Sequence, residues 1–368
     1  MRSLIKKLLP TFIFVRVKSF ITAFHQVAIG LFGKVPFLSH IYFFLFNYSY
    51  IREQFALLQG ALAYQKKIAS TNELSNPLLR RNIHRLEKGL IMQPRRTVFA
   101  LEYIEETQQA FLLACSSAVH SQEINWAKDV LTEYYQKVDL NKSALLARLA
   151  EEFEQFNRLN TASADACIPY SNNQLPSCNL SYQQLSDFIK LRRSTRWFSN
   201  TKVCHEKIKQ AVTLASQAPS ACNRQGYSFY VVDQQPLLSK VSKLAIGGGG
   251  FADNIPCIVA LVGDYSNYEH PRDRHVIYID ASLAAMQFMQ TLPTLGLSSC
   301  PLNWPELKVL DEKLSKLLKL KAYQKTIMLI AVGEAAPEGG IPYSQKKTAD
   351  QLTHFINEEQ DINQSAEY

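Results

Sequence analysis

A chain of 368 residues with 47% apolar side chains and ordinary Gly and Pro content can bury a large core, which excludes a mainly disordered protein. Of the net charge of +8, +6 falls in residues 1–60, where Arg2, Lys6, Lys7, Arg16, Lys18, Lys34 and Arg52 face a single acid, Glu53. These cations are mixed with aromatic and aliphatic residues, which suits an anionic membrane surface; no zinc-finger, homeodomain or other nucleic-acid signature is present, and no nucleic-acid partner is expected.

Residues 1–60 read as a basic apolar arm. Residues 19–33 and 35–51 lack Lys, Arg, Asp and Glu, but Pro36, His40 and Asn47 interrupt the second stretch. A spanning helix needs about 20 predominantly apolar residues. The stretches therefore predict interfacial or core-packing helices, with peripheral membrane contact, and apolar character continuing beyond residue 33 argues against a signal peptide. Residues 61–160 predict a helical region. Apolar residues recur at three- and four-residue spacing over Glu102–His120 and Ile124–Tyr135, and a further short helix is expected at Glu151–Leu159. Residues 161–180, rich in Ser, Asn, Ala and Pro, read as a linker.

From 181 to 358 helices alternate with strands. Ser181 can cap a helix to about Leu191, a second helix covers His205–Gln217, and Pro219 ends it. Tyr227–Asp233, Pro256–Gly263 and Thr326–Gly333 read as strands, with helices near Pro236–Leu244 and over Arg274–Leu292. Such a pattern predicts layers of helices on a mainly β core, an α+β or α/β fold. Residues 359–368 form a tail.

Seven cysteines without a CxxC pair read as reduced thiols in a cytoplasmic protein, most of them small buried hydrophobes. His270 and His275 have no ligand partner at helical spacing, so no metal site is expected. Two other clusters carry chemistry. In LRRSTRWF, Arg192, Arg193 and Arg196 offer planar charged donors and Ser194 a hydroxyl, a set matched to a phosphate or to a solvated helix end. In APSACNRQGY, Ser220, Asn223 and Gln225 place donors and acceptors in a tight loop, and an amide can read both the carbonyl oxygens and the ring nitrogens of a flavin edge. Alone, that loop reads more often as a capped turn than as a site. Gly247–Gly250 lacks the pattern of a phosphate loop and reads as a loop bordering a cleft.

Taken in order and at their spacing, LRRSTRWF and APSACNRQ resemble the opening motifs of the nitroreductase family. DASLAAMQFMQTLPTL followed by GLSSCPLNW resembles its central helix and the segment that passes the flavin, and IAVGEAAPEGGIPYSQKK its closing strand with the basic residue that follows. The resemblance covers residues 180–358 and implies a nitroreductase-like, mainly antiparallel sheet flanked by helices, preceded by a helical N-terminal region. It implies FMN as cofactor, with Arg192, Arg193, Ser194 and Arg196 on the phosphate and ribityl chain. Pro219, Ser220 and Asn223 would line one ring edge, with Gln225 close by. Pro301, Leu302 and Asn303 would present backbone or amide groups near the reactive edge, and Lys346 would complete the phosphate site, with Lys347 as a substitute. Arg192 and Arg224 are the candidates for positive charge beside the reduced ring.

This chain departs from the family pattern at Gly226-Tyr227, where Pro-Trp is common, at Asn303-Trp304, where Glu-Gly is common, and at Lys346, where arginine is common.

The implied activity is NADH- or NADPH-driven two-electron reduction of a small organic acceptor by a ping-pong cycle, in a homodimer whose interface uses the helix at 274–292. The alternatives are a flavin-dependent dehydrogenase of surface polysaccharide metabolism and a non-enzymatic, membrane-associated assembly protein. The location expected is cytoplasmic, possible contact with the inner membrane face included. One motif lies outside the flavin domain. RRNIHRLEKGL, at 80–90, resembles an N-terminal extension of nitroreductase-like proteins associated with surface polysaccharide gene clusters. It reads either as a charged helix with Glu87 paired and Gly89 as C-cap, or as a lid or docking surface offering His84, Arg85 or Lys88 to a substrate.

Overall fold

The computed structural model describes residues 11–45, 50–157 and 166–356. Arg2, Lys6 and Lys7 of the basic arm, Asn47, the start of the linker and the tail at 359–368 lie outside the described residues.

The C-terminal half is built on a four-stranded sheet. Its strands are β1 (Tyr227–Val232), β2 (Cys257–Asp264), β3 (Ser298–Leu302) and β4 (Gln324–Gly333), in the order β1-β2-β4-β3 with every pair antiparallel. Strand β2 is buried along almost its whole length, and its alternation sorts side chains to two faces. Ile258 and Ala260 join Leu329 and Ala331 of β4 under two helices, α10 (Leu237–Ser242) and α12 (Lys308–Leu318). Cys257, Val259 and Leu261 join Ile330 and Val332 on the other face, beneath α9 (His205–Ala215) and α11 (Val276–Thr291). Helices thus cover both faces of one antiparallel sheet, as the resemblance implies.

Helix α8 (Tyr182–Leu191) starts where Ser181 forms a capping box with Gln184, Oγ accepting from the Gln184 amide at 3.2 Å. None of its side chains is buried. After it the chain runs alongside β3: Ser194 bridges Ser299, and the Thr195 amide donates to the Ser299 carbonyl at 3.0 Å.

The N-terminal half has its own core. Helices α4 (Pro77–Leu90), α5 (Ile104–Cys115), α6 (Ser121–Lys137) and α7 (Ala144–Asn157) pack Leu79, Ile83, Leu86, Phe111, Leu131, Tyr134, Leu146 and Phe153 into one cluster. Helix α7 is longer than the short helix expected from Glu151. Its apolar period already starts at Leu145 and Leu146, and Ser143 Oγ accepts from the Leu146 amide to open the helix.

Helices α1 (Thr11–Phe32) and α2 (Pro36–Leu45) precede α3 (Ile51–Ile68). Helix α3 runs straight through residue 60, where the basic arm was expected to end, because 51–68 carries one continuous docking face. Ala56 packs with Tyr265, Tyr268 and Ile277. Gly60 lies so close to Tyr265 that a Cβ there would come within 2.5 Å of the tyrosine Cβ. Arg52 forms an ion pair with Asp311 and donates to Ser315 at 2.8 Å, both on α12. Among the described residues, no helix is long and apolar enough to cross a membrane.

Candidate active site: a cation cavity and an amide loop

Where α8 ends, a cavity of about 330 Å³ opens between the Arg192–Ser194 turn, α11 and the strap that follows β4. Arg192, Arg193, Ser194 and Lys346 all line it, together with Met286 of α11. Sequence positions separated by about 150 residues therefore converge on one cavity. The strap is fastened by Arg193, whose guanidinium donates to the carbonyls of Pro342 (2.9 Å) and Tyr343. Arg192 is different: its Nη1 is buried and has no hydrogen-bond partner among the described residues. A buried charged donor without an acceptor costs more than an ordinary unmade hydrogen bond, and an anionic oxygen at this atom would relieve that cost. Arg196 does not line the cavity; its guanidinium turns back onto the Ser194 carbonyl at 3.3 Å.

Strand β3 connects this cavity to the expected reactive edge. Ser299 sits beside Ser194, and Asn303 lies four residues further, about 13 Å at the rise of a β-strand. Pro301 and Asn303 are exposed at this end, whereas Leu302 is in the core and can offer only its backbone. Trp304, at the departure from the family pattern, is buried and donates to Asp311 at 2.7 Å, so it is a packing residue. The Gly247–Gly250 loop does border this edge: a Cβ on Gly247 would sit 3.5 Å from the Asn303 amide nitrogen.

The loop at 218–226 is held apart from the cation cavity, near the start of α11. Its backbone is unusual, with Cys222, Asn223 and Gln225 all at positive φ (54°, 51° and 48°). Such conformations cost non-glycine residues about 1 kcal/mol or more each, and three sets of contacts hold them. Asp280 of α11, buried, accepts from the Ala221 amide at 3.0 Å, and burial raises its carboxyl pKa against the opposing effects of that bond and of Arg224. Arg224 donates to the Ala221 carbonyl (3.0 Å), pairs with Asp273 (3.0 Å) and stacks on Tyr268 at 4.4 Å. Arg224 is thus a brace for the loop, already neutralised, and does not supply free charge to a reduced ring.

The third brace comes from the N-terminal half. Arg80 Nε donates to the Asn223 carbonyl at 2.9 Å, Nη2 to the Gln225 side-chain oxygen at 3.1 Å, and Nη1 to Glu123 at 2.9 Å. Gln225 spends its other amide group on the Ser216 carbonyl at 2.7 Å, so its side chain is wholly structural. Ser220 Oγ accepts from the Gln225 amide. Pro219 is exposed, and the Asn223 side chain has no hydrogen-bond partner among the described residues, which leaves it available to a ligand. Arg80 and Asp280 are the functional residues that motif reading missed. An arginine at the head of RRNIHRLEKGL was visible, but nothing in the sequence says that it crosses to a loop 143 residues away.

The model of the nitroreductase family matches residues 189–249 and 247–334, which include both motifs. The C-terminal half carries a nitroreductase-family domain. This family is flavin-dependent and its members are oxidoreductases, so the chain is an enzyme of that class. Human iodotyrosine deiodinase 1 is 25% identical over 219 residues, covering 50% of this chain and 73% of its own length. The CLA biosynthesis enone reductase of Lactiplantibacillus plantarum is 31% identical over 120 residues, covering 32% of this chain and 55% of its own. Among solved structures, an FMN-dependent nitroreductase from Clostridium difficile R20291 aligns with a TM-score of 0.40 at 27% identity, over 46% of this chain and 98% of that one.

Proposed function

We propose that this chain is an FMN oxidoreductase driven by NADH or NADPH, reducing a small organic acceptor by a ping-pong cycle as a homodimer. The single observation that carries the reading is the unpartnered, buried Nη1 of Arg192 in a cavity shared with Ser194 and Lys346. Planar and ammonium donors around one buried vacancy in hydrogen bonding suit a phosphate monoester. Arg192 and Lys346 would neutralise it, Ser194 would donate to it, and Arg193 would keep the strap closed over it. Asn223, held by Arg80 and Asp280, would read a ring edge, and the backbone at 301–303 would face the opposite edge. The bound flavin supplies two-electron transfer; the protein supplies its position, its charge environment and an exposed face for donor and acceptor in turn.

A homodimer is supported by surfaces that one chain leaves open. Ile279, Leu283 and Met286 form an exposed stripe on α11 at helical spacing, and Leu185 and Ile189 of α8 are also exposed. Met286 also lines the cation cavity, so this apolar face runs into the site. The 218–226 loop does not line that cavity; in the proposed homodimer the loop of the second copy would complete it.

The test is the visible spectrum of the purified full chain. A bound flavin band near 450 nm, bleached anaerobically by NADH or NADPH and restored by a quinone or nitroarene, is the expected result. A colourless protein that takes up no added FMN contradicts the proposal.

A further inference from the structure

A second cavity, of about 520 Å³, lies on the other side of the 218–226 loop, between that loop and α4. Its wall carries five cationic side chains, Arg81, Arg85, Lys88, Arg224 and Arg272, against two carboxylates, Glu269 and Asp273. Both carboxylates are already committed: Glu269 to Arg81 at 3.2 Å and Asp273 to Arg224 at 3.0 Å. Three cations are left without an acidic partner among the described residues. Arg85 is pinned by stacking on Tyr103 at 3.6 Å and touches only the neutral amide of Asn82. Lys88 lies one turn further along α4 and Arg272 on the facing turn, both exposed at the cavity wall. Convergence of uncompensated like charges on a concave surface is unfavourable unless an anion shares it, and such a surface concentrates anions.

The cavity also touches the loop that serves the flavin. Cys222 forms part of its wall, and its neighbour Asn223 is the residue with the free amide. The helix α4 motif is resolved by this arrangement. His84 pairs with Glu87 at 3.1 Å, and Glu87 also accepts from the Trp126 indole at 2.9 Å, so both are internal braces. Gly89 is inside the last turn and not a C-cap; a Cβ there would lie 2.2 Å from the Phe99 ring. Only Arg85 and Lys88 are turned to the cavity with charge to spare.

We propose that the N-terminal extension builds the acceptor's specificity pocket, in which Arg85, Lys88 and Arg272 bind a carboxylate or phosphate group on the acceptor while its reducible part lies at the flavin edge beside Asn223. This rests on the flavin reading above for the direction of the reducible part, but the anion site itself does not require it.

The experiment uses the full chain and three probes of one shape: 4-nitrobenzoate, 4-nitrophenyl phosphate and the uncharged 4-nitrobenzamide. Binding is measured by calorimetry at low and high salt, with flavin content read from the absorbance of the same samples. The wild type should bind one or both anions at least about tenfold more tightly than the amide, with the advantage lost at high salt. In Lys88→Gln/Arg272→Gln, both exposed positions, the anion advantage should collapse with flavin content unchanged. Preference for benzoate or for phosphate identifies the natural group. No charge preference in the wild type, or one that survives the double substitution, overturns the proposal. So does a variant whose only defect is slower flavin reduction by NADH, because the cations would then serve the donor. Anion preference in a protein without flavin would instead leave this site standing and defeat the flavin reading.

Discussion

The guanidinium of Arg80 donates to the side-chain oxygen of Gln225 at 3.1 Å and, through Nε, to the carbonyl of Asn223 at 2.9 Å. A helix that precedes the linker is thus fastened to the loop that shapes one edge of the candidate flavin site. The extension and the nitroreductase-family domain are one physical unit at this point, and the loop's three left-handed residues depend on it.

Replacing Arg80 tests that dependence. Arg80→Met removes the cationic partner of Glu123, a buried carboxylate that keeps hydrogen bonds from Ser75 Oγ and the Asn76 amide, so the cost should stay at or below the low end of the about 3–5 kcal/mol of a broken buried pair. Thermal melting should fall by several degrees, and flavin retention on dialysis should fall with it, since Asn223 loses its brace. Retained flavin in a variant that melts early would separate the two roles and show that the loop holds without α4.

Close approach between α3 and the domain is set by a missing side chain. Gly60→Ala places a methyl within 2.5 Å of the Tyr265 Cβ and about 3.0 Å of its backbone, neither of which can swing aside. The helix-propensity gain of about 1 kcal/mol opposes a packing cost of about 1–3 kcal/mol. The expected outcome is a net loss of stability and faster proteolytic cleavage ahead of α4, read by limited proteolysis. Unchanged protection would mean that α3 is not seated as described.

A pH dependence follows from Glu306. Burial pushes its carboxyl upward, but hydrogen bonds from Lys325 and Tyr278 outweigh it and hold the pKa below the ordinary 4.5. An acid depressed in the folded state adds stability that is present above its unfolded pKa and lost as pH falls through the folded value. Melting temperature should therefore drop between about pH 5 and pH 3, and Glu306→Gln should flatten part of that drop while lowering the plateau, because buried Lys325 loses its partner. A variant with the wild-type acid limb would remove Glu306 from the account.

The arm was expected to touch a membrane surface, and α1 and α2 expose Phe20, Val27, Leu31, Phe37 and Phe44. We propose peripheral contact through these side chains, helped by the surrounding cations. Co-flotation with vesicles containing phosphatidylserine, reduced by salt and by Phe20→Asp/Phe37→Asp, is the expected result; no flotation at low salt contradicts it.

Three of the four strands, β1, β2 and β4, were legible because they are short apolar runs between turn residues, and helix starts such as Ser181 announce themselves by capping chemistry, whereas β3, with two serines and a proline, carries no such signal. Lys346 could be placed with Arg192 only through the resemblance, since no local rule joins a strap to a turn 154 positions away. Gly89 was misread as a cap because a glycine required by Phe99 and a glycine required by φ look the same in sequence. Arg224 was misread as free charge because its partner Asp273 is 49 residues away in the chain.

The central claim is that the cavity around Arg192 receives a phosphate. The most direct measurement is the affinity of the full chain for FMN and for riboflavin, which lacks the phosphate, in the wild type and in Arg192→Gln. A charge-assisted hydrogen bond is worth about 1.5–3 kcal/mol, or roughly 10- to 150-fold in affinity. The account predicts a strong preference for FMN that falls by about that factor in the variant, with riboflavin binding unchanged. Equal affinities for the two flavins, or an FMN preference indifferent to Arg192, would contradict it.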